Sequence, residues 1–91
     1  SSQQLVYEAQ ALKARLAAES VLERKVFELL GNISASGAVT TEVAGCNGNA
    51  SVPQTKINTA AGVTQVNVIA TGTCNIGQLT VIRNIEVEVI E

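Results

Sequence analysis

Residues 3–30 contain neither glycine nor proline, and their apolar positions recur at helical spacing. Leu5, Ala9, Leu12, Leu16, Val21 with Leu22, Val26, and Leu29 with Leu30 follow one another at intervals of three, four and five, which predicts one continuous stripe along a single helix. Glu8, Lys13, Arg15, Glu19, Glu23, Arg24 and Glu28 occupy the opposite side, with Arg15 placed to pair with Glu19 and Arg24 with Glu28 at i,i+4. Gly31-Asn32 supplies the left-handed stop expected after a helix. At 1.5 Å per residue the helix is roughly 40 Å long, more than a small sheet can cover. Its stripe nevertheless begins at Leu5 and Val6.

After Gly37 the period changes to two, and β-branched residues replace helix formers. Val39, Thr41 and Val43 alternate with Thr40 and Glu42 in a first strand that ends at Gly45-Cys46. Residues 48–61 read as a polar loop around Pro53, holding at most a short strand near Thr55 to Asn58. Val66, Val68 and Ala70 alternate with Gln65, Asn67 and Ile69 in a strand that ends at Gly72 and Cys74. A last strand runs from about Leu79 to Ile90, joined to its predecessor by the turn Asn75-Ile76-Gly77-Gln78. Arg83 falls on the apolar face of that strand, which calls for a bulge near Arg83-Asn84 or for an arginine snorkelling at the sheet edge. The expected architecture is α+β: a single domain over residues 1–91, with an amphipathic helix (1–31) packed on a loop-rich, three- to four-stranded antiparallel sheet (32–91).

Composition narrows the function. The chain has 91 residues, 46% of them hydrophobic and 15% charged, which suits a folded domain. At this length only about two thirds of the unfolded surface is buried, so the core needs support. Tyr7 and Phe27 are the only aromatics, and both lie on the helix. There is no histidine or aspartate, so the usual zinc, calcium and acid–base groups are missing, and neither a cofactor nor a catalytic site is expected. A net charge of -2 without a basic cluster argues against nucleic acid as a partner. Nothing calls for a small-molecule substrate, and no run of about 18 apolar residues spans a membrane. The sequence opens Ser1-Ser2 without methionine, the expectation being a removed leader or a start inside a longer protein.

Cys46 and Cys74 suit a structural disulfide in an oxidising compartment, the alternative being two buried thiols in a cytosolic protein. Turn signals beside both cysteines favour the disulfide and an exported protein. Glu86 and Glu88, two apart on a strand with Glu42 a possible neighbour, are either a carboxylate pair or the wet side of an amphipathic strand; without a converging third ligand the second reading leads. The overlong helix stripe is the feature that a lone domain explains least. It predicts a partner helix along Leu5, Val6, Ala9, Leu12 and Leu16.

Two stretches resemble the type IV pilin family, and more closely minor pilins of the MshP type, which serve biogenesis of the mannose-sensitive haemagglutinin (MSHA) pilus. One is Val6-Tyr7-Glu8 followed by Ala14-Arg15-Leu16-Ala17-Ala18-Glu19-Ser20-Val21-Leu22-Glu23. The other is Ala70-Thr71-Gly72-Thr73-Cys74 with Arg83-Asn84-Ile85-Glu86-Val87-Glu88-Val89. Val21 stands where such relatives often carry glycine, and the family's cleavage motif and apolar N-terminal segment do not occur in these 91 residues. The resemblance implies a pilin-like roll and a non-enzymatic subunit. Its precursor would be anchored in the bacterial inner membrane with the domain in the periplasm, and it would reach the cell surface in a pilus. Its partners would be other major or minor pilins, with a role in initiating or capping assembly. A type II secretion pseudopilin shares this logic, and an exported adhesion or ligand-binding module is the alternative from another class.

Overall fold

The computed structural model describes residues 2–52, 57–58 and 62–91. Helix α1 (Ser2–Gly31) is followed by β1 (Val39–Val43), β2 (Cys46–Ser51), β3 (Ile57–Asn58), β4 (Thr64–Ile76) and β5 (Leu79–Ile90). All strand pairs are antiparallel, in the order β1-β2-β4-β5, and the two-residue β3 pairs with the start of β4 beyond the end of β2. One face of the sheet carries α1 and no element among the described residues packs on the other, so the fold is the expected α+β arrangement. With about 45 Å of helix the molecule is elongated, 53 × 20 × 17 Å.

Three local expectations need correction. Cys46–Ser51 is a strand, not the start of a polar loop, although Asn47, Gly48 and Asn49 are poor strand formers. Its even residues Cys46, Gly48 and Ala50 are buried under α1 while Asn47 and Asn49 are exposed, a period-two pattern written in small and polar side chains. Ile57–Asn58 does form a short strand; Pro53, Thr55 and Lys56 lie outside the described residues. The β4–β5 register then runs unbroken from Gln65↔Ile90 to Ile76↔Leu79, so there is no bulge at Arg83. Arg83 instead extends along the helix side of the edge strand, its guanidinium 5.9 Å from the Tyr7 ring centroid and donating to Tyr7 Oη at 3.3 Å. Finally, neither Gly31 nor Asn32 has a positive φ. The helix ends in an Asx turn, in which Ser34 N donates to Asn32 Oδ1 (3.0 Å) and Ala35 N to Asn32 O (2.9 Å).

The helix and sheet meet as a wedge. At the narrow end Ala14, Ala17 and Ala18 lie on β2 and β4, with no side chain at all at Gly48 and Gly72. A Cβ at Gly48 would stand 2.5 Å from Ala17 O, and one at Gly72 would overlap Ala14 O. Here the two backbones touch, and only glycine fits. Toward the helix C-terminus the gap widens and is filled by Val21 and Leu29 against Val66, Val68 and Val89. The Cys46–Cys74 disulfide joins β2 to β4 beneath Ala14 and Ala17, with Cα atoms 4.5 Å apart.

Lys25 lies wholly inside this interface, a position that the charge pattern did not single out. Its ammonium donates to Glu28 Oε1 (2.7 Å), Gly37 O (2.9 Å) and Ala35 O (3.5 Å), so all three donors are used. It thereby ties the connection into β1 to the last turns of α1. Arg24, expected to pair with Glu28, donates to Thr40 O (3.1 Å) instead, while Arg15 and Glu19 pair at 2.7 Å as expected. Lys25→Met retains most of the buried stem but removes the charged donor, and should cost about 2 kcal/mol. An unchanged urea midpoint would show that these carbonyls are satisfied without it.

Candidate functional site

The structure divides the expected helix stripe in two. At about 100° per residue, Ala14, Ala17, Ala18, Val21, Lys25 and Leu29 point at the sheet and are buried. Leu5, Ala9, Leu12 and Leu16 point the opposite way, in a sector roughly 60° wide that also holds Phe27 and Leu30. They are exposed: Leu5 by 68%, Leu12 by 59%, Leu16 by 45%, Phe27 by 79% and Leu30 by 71%. Val6, grouped with them in the sequence reading, is off this sector and borders a shallow depression with Ile76 and Leu79. The chain therefore carries an outer helix face of exposed apolar residues, interrupted by Glu23 in the same sector, that nothing among the described residues covers. Isolated exposed leucines are ordinary, whereas a row of them along one face of a helix marks an interaction surface.

Two features of this surface were not anticipated. Phe27, which the stripe omitted, joins Leu30 in prolonging it into the C-terminal half of α1, and the spacing Leu5, Leu16, Phe27 in steps of eleven was the available signal. Beside them, between α1 and the edge strand β5, runs an open groove of about 520 Å³ lined by Leu22, Val26, Phe27, Leu30, Val87 and Val89. No sequence pattern announced it, because a groove depends on how helix and strand are spaced.

The remaining candidates do not converge. Glu86 and Glu88 both point to the open face of the sheet and are exposed. Glu42 is on β1, about 14 Å across the sheet from β5, and its register row meets β5 at Ile82, so Glu86 and Glu88 lie a further four and six residues along the strand. Among the described residues no group of three acidic or sulfur ligands could hold a metal ion. The face away from α1 is mostly polar apart from Ile69, Ile82 and Ile90, with cross-strand rows such as Thr40, Asn49, Thr71 and Asn84, in which Thr71 Oγ1 donates to Asn84 Oδ1 at 2.8 Å. Cys46 and Cys74 are spent on the disulfide. Among the described residues no helix is long and apolar enough to cross a membrane. No protein-family model, curated protein or solved structure matches the chain.

Proposed function

We propose that this chain is the globular part of a minor pilin or pseudopilin, a non-enzymatic subunit that initiates or caps assembly of a type IV pilus of the mannose-sensitive haemagglutinin kind. The observation that carries the reading is the outer face of α1. A long helix with one side packed on its own sheet and exposed leucines and a phenylalanine along the other is suited to pack between neighbours. The disulfide suits a periplasmic domain, and a small domain with one helix face uncovered suits a part that is stabilised within an assembly. In this reading an apolar segment preceding α1 anchors the precursor in the inner membrane and later joins the core of the filament. Leu5, Ala9, Leu12 and Leu16 then meet the helices of other pilins.

Leu12→Glu tests the contact without touching the core, because Leu12 is 59% exposed. The variant should keep its melting curve within about 2–4 °C while filament assembly in the host fails, since surface substitutions change stability by only about 0.5 kcal/mol. Normal filaments in that strain would remove α1 as an interface. The gene itself provides the second check. A short basic leader, a cleavage site and about 20 apolar codons running into α1 are expected upstream of Ser1. An ordinary secretory signal peptide there would replace the pilin reading with the adhesion module.

A further inference from the structure

The groove between α1 and β5 has a second property besides its apolar walls. Its charged lining residues are Glu19, Glu23 and Glu88, with no lysine or arginine. Glu19 is paired with Arg15, and Arg15 and Arg83 flank Glu86 beyond the groove's far end without reaching ion-pair distance. Neither Glu23 nor Glu88 has a cation within that distance among the described residues. Strand alternation puts the side chain of Glu88 on the open face, so this residue can line the groove only across the free edge of β5. β5 pairs with β4 alone, which leaves alternate N–H and C=O groups of a twelve-residue strand without a backbone partner among the described residues.

We infer that the β5 edge and its groove form a docking site for an extended segment of another protein, in which apolar residues alternate with lysine or arginine. The alternation follows from geometry. A strand added to β5 turns every second side chain toward α1, into the groove against Val26, Phe27 and Val87. The side chains between them fall on the open face, beside Glu86 and Glu88, where opposite charges across the strands attract. The lengths agree: from Glu19 to Leu30 the helix rises about 16 Å, the span of roughly five extended residues. The same charges disfavour a second copy in the groove, since one acidic rim would face another.

The test is a titration of the intact chain into a fluorescein-labelled octapeptide of alternating valine and lysine, read by anisotropy at low salt. Saturable binding below about 1 mM is expected. A valine–glutamate octapeptide should bind at least about tenfold more weakly, and so should the lysine peptide to the double variant Glu86→Gln, Glu88→Gln. Methylating the peptide's alternate backbone nitrogens that face β5 should abolish binding, and Phe27→Ala, at a side chain 79% exposed, should weaken it without altering the fold. No saturation by the lysine peptide overturns the inference. So does equal binding of the methylated or glutamate peptides, as does concentration-dependent dimerisation of the chain through β5 that the peptide does not compete with.

Discussion

Gly72→Ala should destabilise the chain by about 4 kcal/mol or more, out of a total of roughly 5–13 kcal/mol for a domain of this size. A single added methyl normally costs far less. Here it would overlap the carbonyl oxygen of Ala14 and stand 2.7 Å from Ala14 C and 3.0 Å from Ala18 N. All three are backbone atoms of a helix, so no rotamer change relieves the clash. The helix must lift, and lifting it uncovers Ala14, Ala17 and the disulfide at the narrow end of the wedge. Gly48→Ala should act in the same direction less strongly, by about 2 kcal/mol, because its Cβ would lie 2.5 Å from Ala17 O. Gly31→Ala is the internal control: nothing lies within 4 Å, and the position is helical without a positive φ. It should be neutral or stabilise by up to about 1 kcal/mol. Urea denaturation of the three variants decides the matter, and a Gly72→Ala protein as stable as the parent would mean that α1 does not rest on the sheet.

Reduction of the Cys46–Cys74 disulfide should be the second large effect, a loss of about 2–4 kcal/mol and roughly 10–20 °C in melting temperature. The bridge closes a loop with a sequence separation of 28, so cutting it releases considerable freedom in the unfolded chain. The loop includes most of β2, all of β3 and most of β4, that is, the stretch with the fewest large apolar side chains. β1 depends on it indirectly, since β1 pairs only with β2. Reduction should therefore loosen β1 and β2 before β5, which hydrogen exchange of the two hairpins would resolve. A melting curve indifferent to reductant would show that β2 is held by its ladder and by α1 alone.

The long elements were legible because each has a period. The helix at 3.6 and the alternating strands at two were readable to within one or two residues, as was the hairpin at Gly77, where φ is +58°. β2 was not, since its core-facing positions hold Cys46, Gly48 and Ala50, residues whose virtue is small size rather than hydrophobicity. A glycine required by close backbone approach looks, in sequence, like a glycine required by a turn. The helix stripe misled for a related reason. Two apolar faces on opposite sides of one helix read as a single broad stripe when the inner one is built from alanines. Leu5, Ala9, Leu12 and Leu16 are exposed on one face, but the stripe attached them to Val6, Val21, Val26 and Leu29, which face elsewhere. Lys25 went unread for the opposite reason: a lone lysine carries no periodic signal, and only the fold shows it as the connector at the end of the core.

The paired glycines also bear on mechanics. Ala17 is followed one turn on by Val21, so sliding α1 by a turn toward its own N-terminus would bring a branched side chain over Gly48, where the backbones already touch. The helix is keyed to the sheet as a ratchet tooth is to its slot. Tension applied along α1 would accordingly be resisted in shear by the whole interface, and transmitted through Cys46–Cys74 into two strands at once. Under such a load the helix and the two bridged strands should move as one unit.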